Sequence, residues 1–330
     1  MAFELGTAID LADLISKLST FSVANGWTED RRDNVNGIFA LSKGQVFVSF
    51  RWDPSSPNAL SIHQATAVLP GAGTEPGDAT GDSGNGYNTN SSHADTSLDN
   101  ERHVLLGNGP FPSYHFFEQD SGPAHIYIAA ESTTDVFQHF GFGTLKKVGD
   151  DWVGGEFAFG QRAVNAAAAS STSTAWLLDG VFTSTSTYSA TVRMTGLPNQ
   201  PAGSVWGNVW GSVGGTPADD TAGNDKATVQ GGFRAGPLTG PWGLFSGSKT
   251  TGYIPMYSIS CFFVDKVSNF VYLMGWMPNV RGVNIASFAN KEEVVIGSDT
   301  WIMFPAQQRS TVTNDTTTGS MGIAYKKVTA

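Results

Sequence analysis

Apolar residues first recur with a helical period. Leu11, Leu14, Ile15 and Leu18 fall at i, i+3, i+4 and i+7, the stripe of an amphipathic helix over residues 10–24. Asp10 or Thr7 can cap its start, and Asn25-Gly26 can end it. From Trp27 the chain turns extended, and β-branched and aromatic residues gather in short runs. Gly37 to Leu41 is one such run, and Gln45 to Trp52 follows after a turn at Ser42 to Gly44. Leu60 to Val68 is the next. Further runs stand at Tyr114 to Glu118 and at His125 to Ala130, with Ser121-Gly122-Pro123 as the turn between them. The pattern predicts an antiparallel meander with the N-terminal helix covering one face.

The densest aromatic segment is 136–160, VFQHFGFGTLKKVGDDWVGGEFAFG. Phe137, Phe140 and Phe142 surround His139 and are broken by Gly141 and Gly143. Lys146, Lys147, Trp152 and the Gly154-Gly155 turn lead into a second aromatic run, so the segment reads as a β-hairpin. Phe140 and Phe142 are two apart and share one face. Gly141 and Gly143 lie on the other and admit close approach there.

Three blocks result. Residues 1–162 hold the helix and the meander. Residues 163–250 read as a Gly- and Trp-rich insertion with short strands, including a doubled Val-Trp-Gly in Ser204 to Gly211. Residues 251–330 form a second strand-rich block, packing with the first, with strands expected at Tyr257 to Val264, Phe270 to Trp276, Val294 to Ile296, Trp301 to Phe304 and Gly322 to Lys327. Between strands, residues 70–101 are almost devoid of apolar side chains and carry Glu75, Asp78, Asp82, Asp95, Asp99 and Glu101, a loop expected to be mobile alone and ordered against a partner. No 20–50-residue repeat is evident, which argues against a solenoid or propeller. The fold class expected is α+β, mainly β: antiparallel, sandwich-like sheets with an N-terminal amphipathic helix and long loops.

Composition adds one inference and removes others. Charged residues make up 15% of the 330, with 39 Gly, 21 Phe and 9 Trp, against an ordinary charged fraction of about 25%. A charge-poor, aromatic-rich surface suits assembly, because protein interfaces are depleted in Lys and Glu. The net charge of −10 and pI of about 4.9 oppose direct nucleic-acid binding. Lys146-Lys147 and Lys326-Lys327 are too small to change that and read as solvated strand ends. The lone cysteine, Cys261, lies in an apolar run and reads as a core thiol. Met1 to Glu4 lacks the basic start of a secretory signal, and no run of 18 apolar residues could span a membrane.

Candidate chemistry is weak throughout. Gly81-Asp82-Ser83-Gly84 matches the surroundings of a serine nucleophile, but it sits in a loop without the strands that would bring a histidine and an aspartate to it. Gly247-Ser248-Lys249-Thr250 approximates a phosphate loop with Ser248 where Gly is required. The histidines (His63, His93, His103, His115, His125, His139) show no metal-ligand spacing. Asp78 and Asp82 lack the run of an EF-hand. Trp206, Trp210 and Trp242 could form a sugar platform, or pack in a core or against a neighbouring subunit. No catalytic residue, metal or cofactor is assigned; the expected structural or assembly residues are Phe137, Phe140, Phe142, Trp152, Trp206, Trp210 and Trp301.

Several segments, taken in order, carry a resemblance: the helix followed by Asn25-Gly26-Trp27-Thr28, Tyr114 to Phe117 with His125 to Ile128, His139 to Gly143 with Gly154 to Phe157, Trp301 to Pro305, and Gly319 to Tyr325. The chain resembles a group of structural proteins of tailed bacteriophages, from the neck and tail. The resemblance is best over 1–160 and 300–330. It implies a virion component made in the host bacterial cytoplasm, a ring-forming neck or collar protein. Its partners would be copies of itself and other head–tail or tail proteins, with no membrane. Baseplate, tail-tip or fibre attachment is the alternative within that class, and a host-glycan-binding module or glycan hydrolase the alternative outside it.

Overall fold

The computed structural model describes residues 3–55, 59–68, 103–119, 122–160, 190–196, 206–209, 228–231, 256–265, 270–285, 287–305 and 321–328. Loop 70–101 and most of 163–250 lie outside them. The described chain is mainly β, with antiparallel sheets and one helix, as the pattern predicts.

The helix α1 (Leu11–Ala24) starts where expected. The Asp10 carboxylate accepts from the Asp13 backbone N–H at 2.8 Å, satisfying one of the orphan donors of the first turn. Leu11, Leu14, Ile15, Leu18 and Phe21 are buried. At the far end Asn25 N–H returns to Ser22 O at 3.0 Å, and Gly26, at φ +81°, turns the chain out.

Five strands form a small sheet in the order β2 (Thr28–Asp33), β3 (Ile38–Lys43), β4 (Val46–Arg51), β5 (Ala59–Ala65), β6 (His103–Leu105). The large sheet begins with β1 (Phe3–Ala8), β7 (Phe111–Glu118), β8 (His125–Thr133), β9 (Val136–Thr144) and β11 (Val153–Gly160). It continues through β12 (Ala190–Thr195), β13 (Trp206–Val209) and β14 (Thr228–Gly231). It closes with β15 (Met256–Asp265), β16 (Phe270–Asn284), β19 (Met321–Lys327), β18 (Asp299–Pro305) and β17 (Glu292–Ile296). The short β10 (Lys146–Lys147) leaves this path and pairs with β16.

The large sheet folds back on itself. Phe117, Tyr127, Phe137, Phe157 and Phe159 of the first half share one core with Met274, Met277, Ile302, Phe304, Ile323 and Tyr325 of the second. The alternate residues of the first half face the other way. Phe116, Ile126, Ile128, Phe140 and Phe142 pack against Leu14 and Phe21 of α1 and Phe39 and Phe50 of the small sheet. The β7–β8–β9–β11 layer is therefore the middle of three, covered on both faces. Each large apolar side chain so buried contributes roughly 1.5–3 kcal/mol.

Three differences from the pattern stand out. The strands of 28–65 form their own sheet and do not continue the central meander. Strand β16 runs to Asn284, eight residues past the expected end at Trp276, carried through Pro278 and through Asn279 at φ +55°. Strand β1 was not anticipated. It is paired in register to β7, Phe3 with Phe117 and Leu5 with His115, and Gly6 lies against the Tyr114 ring, which leaves no room for a Cβ.

Candidate functional site

The 136–160 segment is a hairpin-like pair, β9 against β11, with Phe142 opposite Ala158 and Phe140 opposite Gly160. Phe142 meets Trp27 edge-on at 5.2 Å between ring centroids and Phe50 at 5.4 Å. Phe137 points the other way and meets Phe304 at 5.2 Å. A Cβ on Gly141 would stand 2.6 Å from Tyr127 and 2.9 Å from Phe159, so glycine is what lets these two rings close over β9. The expected sharing of faces holds.

The three histidines of the middle layer lie on one face with Tyr127. His139 Nε2 lies 3.0 Å from the Pro305 carbonyl, which can only accept, so Nε2 carries the proton. Nδ1 is then the acceptor for the Tyr325 hydroxyl at 3.2 Å. His125 Nδ1 donates to Pro123 O at 2.8 Å, leaving Nε2 to accept from Asn279 Nδ2 at 3.3 Å. His115 sits edge-on to Phe304 at 4.9 Å. Tyr127 donates to Pro278 O at 2.8 Å. Burial pushes the imidazoles down, His139 to about 3 and His125 and His115 to about 4, with Lys291 pushing His115 further the same way. All three are neutral at pH 7. His139 and His125 act as hydrogen-bonding struts between layers, and His115 as a packed ring.

Buried carboxylates are likewise tied. Glu118 accepts from Lys43 Nζ at 2.5 Å and Trp27 Nε1 at 3.2 Å, pinning the end of α1 to β3 and β7. Glu131 accepts from Ser113 Oγ, from Lys291 Nζ at 3.0 Å and from Asp135 N–H at 2.8 Å. Burial works to raise the Glu131 pKa, but these donors outweigh it and hold the group below the usual glutamate range. Glu156 pairs with Arg193 at 3.3 Å across β11 and β12. Among the described residues no three His, Cys, Asp or Glu side chains come together to hold a metal ion.

Of the residues singled out from the sequence, Phe137, Phe140, Phe142, Trp152 and Trp301 are all buried in the chain's own cores, so what they touch directly is the interior. For Trp206 only the strand is described, and Trp210 and Trp242 lie outside the described residues, as do His93, Asp78, Asp82, Gly81 to Gly84 and Gly247 to Thr250. His63 is buried, and His103 lies on β6. Cys261 is a core thiol whose pKa burial pushes up to about 12. The lysine pairs are not merely solvated ends. Lys147 lies over the Trp152 ring at 4.4 Å and Lys146 over Trp276 at 5.6 Å, while Lys326 pairs with Asp299 at 2.8 Å and Lys327 with Glu293 at 2.7 Å.

Strand β1 is what the sequence missed, together with the place of the expected strand β17 at an end of the large sheet. Strands β1 and β17 are its terminal strands. Leu5 on β1 is 59% exposed, and Val295 and Ile296 on β17 are 70% and 38% exposed. The two ends lie near each other, because Lys327 bridges them, paired with Glu293 of β17 and over the Phe3 ring of β1 at 5.0 Å. The apolar alternation of Phe3 and Leu5 was the available signal for β1. No helix among the described residues is long and apolar enough to cross a membrane. No protein-family model matches the chain, and no curated protein sequence matches it.

Proposed function

We propose that this chain is a structural component of a tailed-phage virion, a ring-forming neck or collar protein at the head–tail junction. The observation that carries the reading is the pair of terminal strands with apolar side chains in solvent. Sheet edges of monomeric proteins are ordinarily blunted by charge, proline or cover. Here Leu5, Val295 and Ile296 stand exposed at the two ends of one sheet. Edge-to-edge contact between copies continues the sheet from subunit to subunit, and a heterologous contact of this kind closes into a ring when its rotation permits. The charged fraction of 15% fits a surface covered by neighbours. In this role the buried polar struts keep each subunit rigid and perform no chemistry.

The test is the mass of the purified chain by light scattering and cross-linking over a range of concentrations. The expected result is a closed oligomer that Val295→Lys reduces to monomers without loss of fold. A chain that stays monomeric at high concentration and binds host polysaccharide would replace this reading with the glycan-binding one.

A further inference from the structure

We propose that β17, β18 and β19 form an acid-releasable flap, fastened to the middle layer by the imidazoles of His139 and His115. This is a property of the single chain and stands whether or not copies assemble. The geometry is a seam between layers. His139 on β9 reaches 166 residues along the chain to donate to Pro305 at the end of β18, and it accepts from Tyr325 of β19. His115 on β7 packs its ring against Phe304 of β18. Around them stand Phe117, stacked on Tyr325 at 4.9 Å, and Phe137.

A proton can enter His139 only at Nδ1. There it turns an acceptor into a donor facing a hydroxyl that was itself donating, and it puts a full charge among aromatic rings. The titratable and charged groups facing the pair offer it little. His115 and His139 face each other, and a second imidazolium would repel the first. Tyr325 of β19 and Tyr127 of β8 are neutral phenols whose pKa burial drives well above the ordinary value. From β18 come Phe304 and the Pro305 carbonyl. Lys291, ahead of β17, is a like charge. Glu131 of β8 is the facing carboxylate, and it is already engaged by Ser113, Asp135 N–H and Lys291.

The opposite seam, between the middle layer and α1 with the small sheet, is mainly apolar, Phe116, Ile126, Ile128, Phe140 and Phe142 against Leu14, Phe21, Phe39 and Phe50, and the carboxylate that crosses it, Glu118, is tied to Lys43 and Trp27 with no imidazole. Proton uptake by imidazole therefore loads one seam and not the other. The sign follows from the depressed values. An unfolded or released histidine takes a proton near pH 6.5, whereas the folded His115 and His139 do so near 4 and 3. The seam is at full strength above about pH 6.5 and weakens as pH falls toward the folded values. Release lifts the β17 edge and uncovers Phe117, Tyr127 and Phe137.

Amide hydrogen exchange on the full chain at neutral pH and near pH 5, corrected for intrinsic rates, tests this. Protection in β18 and β19 should fall at least about tenfold more than in β3 and β4, as expected when even one displaced pKa unit is released. The double variant His115→Phe/His139→Asn, which keeps an N–H for Pro305 and removes both titrating rings, should lose that difference. Should the double variant fail to fold, His115→Phe alone leaves the Pro305 bond intact and should shrink the difference. The proposal is overturned if β18–β19 and β3–β4 lose protection together, or if the folded variants respond to acid as the wild type does.

Discussion

The two faces of the β7–β8–β9–β11 layer are made from alternate residues of the same strands, yet they are held by different forces. Toward α1 and the small sheet, Phe116, Ile126, Ile128, Phe140 and Phe142 meet other apolar side chains. Toward β16, β18 and β19, aromatics alternate with His115, His139 and Tyr127, and hydrogen bonds cross to the backbone carbonyls of Pro305 and Pro278. The first face depends mainly on shape and area, with Glu118 tied to Lys43 and Trp27 as its polar contact. The second adds directional bonds, which fix where the returning half of the sheet docks but leave it sensitive to proton uptake. One strand can thus serve a permanent seam and a conditional one.

The largest effect should come from putting a charge into the dry face. Phe140→Asp removes a large buried ring and leaves a carboxylate without a partner, so we expect a loss above about 4 kcal/mol and no soluble folded protein, read by circular dichroism and yield. A folded Phe140→Asp variant would show that the dry face is not essential. Next is Gly141→Val on the other face, where even a Cβ meets Tyr127 and Phe159. Overpacking there should cost about 1–3 kcal/mol in denaturant unfolding. Tyr127→Phe should cost about 1–3 kcal/mol, because it orphans the buried Pro278 carbonyl while keeping the ring. An unchanged midpoint would mean that packing, and not the hydrogen bond, secures this seam. Smallest for stability is Val295→Lys on the exposed edge, within about 0.5 kcal/mol of wild type by the same measurement. Its effect belongs to self-association.

Much of the local structure was legible. The i, i+3, i+4 stripe located α1 within a residue, and most of the strands that the apolar runs predicted formed near their predicted limits. The alternation of Phe140 with Gly141 was enough to foresee two differently built faces. Strand β16 runs on past Trp276 through Pro278 and Asn279, residues with little strand propensity of their own, because its neighbours β15 and β19 carry it on. Strand β1 was overlooked because six residues with a central glycine have little propensity of their own. Pairing with β7 supplies what the sequence lacks. The histidines looked like independent positions, and the role of His139 depends on Pro305 and Tyr325, more than 150 residues away.

Periodicity is a local property, so the sequence by itself determined the mainly β class, the capped N-terminal helix and which residues of each strand share a face. It could not say what each face would meet. That the large sheet folds back, that its middle layer is covered on both sides, that His139 becomes a neutral strut and that β1 and β17 end up as neighbouring terminal strands among the described residues were decided by tertiary structure. The physical reason is that burial, desolvation and cross-layer hydrogen bonds are set by groups brought together across the whole chain, after the local pattern has done its part.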